Sequence, residues 1–264
     1  MSLSLLNPVA LGLTAIGLTL GLAGTAQADP FLPVQNLTFT QFNPGGTPPK
    51  AGFTAANPVG WTGGTGLIAI DAPGTATDFT NGQYGVWGPF ADPPPGGNFI
   101  QADGNPIFET SFNQTITGLT AGQAYTLTFW QAAGQQSGFS GATTEQWKVF
   151  FGNGTNTVDC STDPCTITTT NQEADSPLMN TPSMGTHPWE LVSLSFVADA
   201  TSDVLSFLAW GNGGTTVNLP PTVFLAGVNS PAVPEPATLS LLGVGLLGIG
   251  GTILRRRAKR KTAV

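Results

Sequence analysis

The sequence predicts an all-β protein, a single β-sandwich of jelly-roll type held between an apolar leader and an apolar tail. Short segments alternate apolar and polar residues with period two, the pattern of strands that bury one face. Glycine and proline, 35 and 22 of 264 residues, punctuate these segments together with Asn and Thr, as tight turns require. Between residues 29 and 230 no stretch carries helical periodicity, and some 200 residues suffice for one sizeable core.

The elements follow in order. Strands are predicted at 36–42, 67–71, 99–101 and 113–117. At 124–130 the alternation is clearest: Tyr125, Leu127 and Phe129 share one face, Thr126 and Thr128 the other. Next come 147–151, then 191–197, where Val192, Leu194 and Phe196 alternate with Ser193 and Ser195. Segments 204–210 and 222–228 close the series. Between 147–151 and 191–197, the β-rich flanks 155–159 and 166–170 surround Cys160 and Cys165, which enclose Ser161-Thr162-Asp163-Pro164. An Asp-Pro turn there sets the cysteines opposite each other in a hairpin, and an oxidising compartment makes a disulfide the expected state.

The termini are of a different kind. Residues 8–24 are apolar and uncharged, and Ala26-Gln27-Ala28 before Asp29 is a small-residue cleavage pattern. Residues 1–28 therefore read as a secretory signal peptide, although no Lys or Arg precedes the apolar core, with Asp29 the mature N-terminus. At the other end, Pro234, Glu235 and Pro236 precede an uncharged run at 237–254. As a helix that run spans about 27 Å, close to the roughly 30 Å of a bilayer's hydrocarbon core. A basic cluster at 255–261 (Arg255, Arg256, Arg257, Lys259, Arg260 and Lys261) follows and is expected to stay cytoplasmic. The two prolines keep Glu235 on an extended stretch at the membrane surface.

Pro-Glu-Pro, a glycine-containing span and a terminal arginine cluster, in that order, resemble a PEP-CTERM sorting signal. The resemblance implies export from a Gram-negative bacterium and a transient inner-membrane anchor. It also implies recognition of Pro234, Glu235 and Pro236 by an exosortase-type membrane processing enzyme, and delivery to the cell surface or extracellular matrix. On this reading residues 29–230 are the ectodomain and 231–264 the sorting signal. A second resemblance lies in 114–129, a strand, a Gly-Leu-Thr-x-Gly turn and a Tyr-Thr-Leu-x-Phe strand. This stretch is similar to galactose-binding-like, carbohydrate-binding jelly rolls, as is the ending Val223-Phe224-Leu225-Ala226-Gly227-Val228. Ala226 stands where that family usually has Asp. Segments 132–147 and 188–210 also resemble domains that precede PEP-CTERM tails.

Charge narrows the function. Six of the eight Lys and Arg residues lie in the terminal cluster, leaving Lys50 and Lys148. Against them stand fourteen carboxylates between 29 and 232, so the ectodomain carries 2 − 14 = −12. A domain so poor in cations has no means of neutralising phosphates, which excludes nucleic acid as a partner.

Few residues of the chain point to catalysis. His187, the single histidine, sits in a loop-like Thr-His-Pro-Trp with no adjacent nucleophile. Glu109, Glu145, Glu173 and Glu190 are the glutamates available for a two-carboxylate hydrolase, but most acidic side chains are solvated surface groups. No catalytic residue and no cofactor is assigned. Asp103, Asn105 and Glu109 are candidate oxygen ligands for a structural calcium, without an EF-hand or nonapeptide repeat to support them. Aromatic residues offer the best binding signal: Trp130, on the threonine face of its strand, and Trp61, Trp87 and Trp147, beside polar or glycine-rich segments. An exposed indole can cover the apolar face of a sugar ring. The expectation is a non-enzymatic surface or matrix protein that contacts exopolysaccharide. The alternatives are a purely structural matrix protein and a glycan hydrolase.

Overall fold

The computed structural model describes residues 28–43, 50–51, 58–63, 66–78 and 84–229. The sorting motif, the apolar run at 237–254, the basic cluster and all of the leader but Ala28 lie outside the described residues. Ala28 and Asp29 are exposed. Among the described residues no helix is long and apolar enough to cross a membrane.

Fourteen strands are described. In chain order they are β1 Lys50–Ala51, β2 Thr62–Gly63, β3 Ile68–Asp71, β4 Phe99–Asp103, β5 Ser111–Thr117, β6 Ala124–Gln135 and β7 Thr143–Gly152. They continue with β8 Asn156–Asp159, β9 Thr166–Thr169, β10 Gln172–Asp175, β11 Met179–Thr181, β12 Thr186–Val197, β13 Ser202–Gly211 and β14 Pro221–Ala226. Sheet I has the order β1-β3-β4-β14-β6-β12, and sheet II the order β10-β7-β13-β5-β2, with β11 also on β7. Every pairing within both sheets is antiparallel. From β4 the chain alternates between sheets through β5, β6 and β7, adds β10 beside β7, and returns by β12 and β13 to β14. The strand orders β4-β14-β6-β12 and β5-β13-β7-β10 are those of a jelly roll, as the alternation predicted.

Period two builds the core. Tyr125, Leu127 and Phe129 of β6 point inward, Val192 and Phe196 of β12 lie beside them, and Leu205, Phe207 and Ala209 of β13 face them from sheet II. Phe112 and Phe207 stack at 5.1 Å between ring centroids, and Phe129 and Trp147 meet Phe207 edge-on. Two satellite clusters lie on the outer faces. Phe99, Phe224, Ala132 and Ala226 of sheet I are covered by Ala76, Val86 and Phe90 from the long β3–β4 connection. Phe150, Leu208 and Trp210 of sheet II lie under the β8–β9 hairpin.

Local chemistry overrode the pattern in places. Residues 36–42 are turns rather than a strand. The Asn36 side chain accepts from the N–H groups of Thr40 (3.0 Å) and Gln41 (3.1 Å), and Asn36 and Phe39 adopt positive φ. The last strand stops at Ala226, because Gly227 and Asn229 turn the chain through positive φ. Strand β12 starts earlier than expected and tolerates Pro188 because it is an edge strand with a bulge between His187 and Glu190. At one end of the sandwich Gly104, Gly211 and Pro221 meet backbone to backbone, with Gly211 N–H donating to Gly104 O at 2.6 Å. A Cβ on Gly211 would collide with Pro221.

Candidate functional site

The outer face of sheet II forms the site. Inward placement of Leu205, Phe207 and Ala209 sends Ser206, Leu208 and Trp210 outward, and the register sets Ser111 beside Leu208 and Phe150 beside Ser206. After Gly152 the chain turns back as the β8–β9 hairpin and lays Val158 and Ile167 against Phe150, Leu208 and Trp210. The hairpin is stapled by the Cys160–Cys165 disulfide (S–S 2.10 Å). It is docked by Cys165 N–H to Gly214 O at 2.8 Å and by Asp163, whose Oδ1 accepts from Thr216 N–H at 3.0 Å.

Between hairpin and sheet lies a cleft of about 90 Å³ lined by Glu109, Ser111, Phe150, Asn156, Ser206 and Leu208, with Val158 and Ile167 as the hairpin wall. Glu109 reaches it from the β4–β5 connection, a 3-10 turn at Pro106–Phe108. Asn105 starts that turn by accepting from Ile107 N–H at 3.2 Å, and Glu109 ends it in the left-handed region at φ 43°. Such backbone costs a non-glycine residue of order 1 kcal/mol and is enriched at functional sites. Neither the Glu109 carboxylate nor the hydroxyls of Ser111 and Ser206 form a hydrogen bond among the described residues. An apolar floor edged by unengaged hydroxyl and carboxylate groups, beside an Asn156 amide whose oxygen accepts from Thr169 Oγ1 (2.6 Å) and Asn171 Nδ2 (3.0 Å), suits a polar, hydroxyl-bearing ligand.

Electrostatics around the cleft is one-sided. Lys148, on the same outer face, donates to Glu173 Oε1 and Asp175 Oδ2, both at 3.0 Å. Its ammonium also stands 5.8 Å from the Trp210 ring. Burial pulls the Lys148 pKa down, but its two carboxylate partners outweigh burial and hold it above the usual lysine value. Elsewhere three carboxylates that the sequence suggests are solvated are buried. Desolvation, assisted by the nearby charge of Asp78, pushes Asp71 up to about 7. Desolvation likewise raises Asp103 to about 6 against the hydrogen bond from Asn105 N–H. Glu145 rises to about 7 by desolvation, opposed by the nearby Thr143 hydroxyl and by the hydrogen bond that Thr181 donates to Oε2 at 2.7 Å. All three are closed to substrate.

The tryptophan expectation is corrected. Trp61 and Trp147, 1% and 0% exposed, belong to the core, where Phe39, Phe112 and Phe207 surround Trp61. Their indole N–H groups are spent on Gln35 O (3.1 Å) and Phe224 O (3.0 Å). No sugar ring can reach either face. Trp87 is half-buried and donates to Phe139 O at 2.8 Å; Trp130 is half-buried against the outer cluster of sheet I, away from the cleft. The proposed calcium ligands do not converge. Asp103 and Asn105 accept backbone N–H groups of the 3-10 turn while Glu109 lines the cleft, and among the described residues no group of three or more His, Cys, Asp or Glu could hold a metal ion. His187 lies 3.8 Å from Glu190 on β12, remote from the cleft. The cleft itself was missed, although extending the period-two reading of 204–210 places Ser206, Leu208 and Trp210 on one face.

Residues 232–257 match the PEP-CTERM protein-sorting motif. No curated protein matches the sequence. Among solved structures, the chain is similar to TmCBM61 in complex with β-1,4-galactotriose at 12% identity, covering 74% of this chain and 94% of that one, TM-score 0.34. The CBM22-2 xylan-binding domain of Paenibacillus barcinonensis Xyn10C is 10% identical over 68% of this chain and 95% of its own, TM-score 0.35. The enzymatically active domain of bacteriophage CBA120 tailspike protein 4 is 13% identical over 64% of this chain, TM-score 0.33, and the chain spans 19% of its length.

Proposed function

We propose that this is an exported protein, sorted by an exosortase-type enzyme to the cell surface or extracellular matrix, whose β-sandwich binds polysaccharide through the cleft on sheet II. The reading assigns no catalytic role. The observation that carries it is a sorting motif at 232–257 on a chain whose sandwich offers a cleft of unengaged hydroxyl and carboxylate groups over Phe150 and Leu208. A hydrolase needs two carboxyl groups at the reacting bond, whereas among the described residues Glu109 is the one carboxylate lining the cleft.

Two measurements test the two halves. In the native host, the wild-type protein should lose the mass of its tail while Glu235→Ala keeps it; identical masses would remove the sorting claim. In affinity electrophoresis against a panel of polysaccharides, Ser206→Trp, which fills the cleft, should abolish retardation seen with the wild type. A second reading, a matrix protein with no glycan ligand, draws on the burial of Trp61 and Trp147, and absence of retardation across the panel would favour it.

A further inference from the structure

If the cleft binds polysaccharide, as proposed above, the charges around it bear on which polysaccharide it takes. A glycan carrying carboxylate, sulfate or phosphate needs a cation where it binds, since an unpaired anion loses its hydration without return. Lys148 is the one described Lys or Arg side chain, and its ammonium is already shared by Glu173 and Asp175. In register, Glu173 sits beside Phe150 and Asp175 beside Lys148, so the edge of sheet II nearest the cleft floor is itself acidic. At the other side Glu109 brings a carboxylate without a partner among the described residues, held in place by a capped 3-10 turn and a left-handed backbone. Ser111 and Ser206 add hydroxyls that can donate or accept, and Asn156, its oxygen held by Thr169 and Asn171, adds an NH2 donor. The ectodomain as a whole carries fourteen carboxylates to two lysines, a field that gathers cations and disperses anions.

We infer that the cleft selects amine-bearing glycans, polymers of partly de-N-acetylated amino sugars, with the Glu109 carboxylate accepting from the sugar ammonium. Phe150 and Leu208 then meet the apolar face of the sugar, and the serine and asparagine groups its hydroxyls. Uronate-rich chains are disfavoured by the same arrangement.

The test uses the full chain in detergent micelles and three oligosaccharides of equal length, namely a chitosan oligomer, its fully N-acetylated counterpart and an oligogalacturonate. Calorimetry is run below the pKa of the sugar amine. The chitosan oligomer should bind about tenfold more tightly than the N-acetylated one, the worth of one charge-assisted hydrogen bond, and the oligogalacturonate should bind weakest. Glu109→Gln should erase that tenfold preference while leaving the affinity for the N-acetylated oligomer unchanged. Asp199→Asn, an exposed carboxylate at the far end of the sandwich, should leave the preference intact, which separates a local contact from the general field. Equal affinities for the amine-bearing and N-acetylated oligomers, or a preference that survives Glu109→Gln, would overturn the inference while the polysaccharide reading stands. Failure of all three oligosaccharides to bind would remove both.

Discussion

Asp71 provides the sharpest test of how this sandwich is held together. It ends β3 with its side chain on the outer face of sheet I, in the row of Phe99. The β3–β4 connection seals it at 0% exposure, and neither carboxylate oxygen has a hydrogen-bond partner among the described residues. The titratable groups that act on or neighbour it are Asp78 and Tyr84 from that connection, with Asp103 further along β4. Burial raises Asp71 from 3.8 to about 7, so the folded protein holds this proton more tightly than the unfolded chain. The associated stability is fully present below the unfolded value and is lost as pH rises through about 7. At about 1.36 kcal/mol per tenfold change in proton affinity, the loss reaches about 4 kcal/mol as an upper limit, because entering water screens part of it. Asparagine copies the shape of the protonated acid without the ability to ionise. Asp71→Asn should therefore match the wild type within about 1 kcal/mol near pH 4 and exceed it by about 2–4 kcal/mol near pH 8. Urea unfolding of the full chain in micelles, followed by tryptophan fluorescence at both pH values, measures this directly. Asp103 and Glu145 shift in the same direction, so the variant should retain a shallower decline with pH rather than none. A wild type equally stable at both pH values, or a variant weakened to the same extent at both, would refute this account of Asp71.

Packing gives two further expected outcomes. Phe207→Ala removes the ring stacked on Phe112 and touched by Trp61, Phe129 and Trp147, and should cost about 3–5 kcal/mol, read as a lowered urea midpoint. Replacing Cys160 and Cys165 with Ser opens a small loop, worth about 2 kcal/mol by chain entropy. Because the hairpin packs on the outer face rather than in the core, the loss should show as faster proteolysis within 153–171 ahead of global unfolding.

The sequence was most legible where burial repeats every second residue. In β6 and β12 the apolar residues in phase are those that face the core. Phase also decided the cases that composition misjudged. Trp147 is in step with Val149 and Phe151, and that parity places it inside despite its polar neighbours in sequence. Strand β10, Gln-Glu-Ala-Asp, carries no β-branched or aromatic residue and forms because β7 offers an edge and Lys148 a partner for two carboxylates. Asp71 looks like a solvated strand end, and only the connection folded over sheet I makes it otherwise. The cleft is less legible still. It requires a hairpin from 156–169, a floor from 150 and 206–208, and a rim from 109–111, and no local pattern encodes that meeting.

The positions of the chain ends bear on how such a cleft would be presented. The Asn229 side chain donates to Leu32 O at 2.6 Å and accepts from Thr128 N–H at 2.8 Å, so the entry and exit of the described chain are tied together on β6. Pro30 O accepts from Thr126 N–H at 2.8 Å and completes the stitch. Gly104, Gly211 and Pro221 mark the opposite end. Leu208 is three residues from Gly211 and pairs with Ser111, so Ser111 and Glu109 belong to that opposite end as well. Asn229, the last described residue, therefore lies on the side of the sandwich away from the Glu109 rim. On the proposed reading this matters for delivery, since a domain tethered through its C-terminus and one released from the tether would offer the same open cleft. Ligand binding then needs no rearrangement at the moment of processing, and an uncleaved Glu235→Ala protein should bind the same oligosaccharides as the processed form.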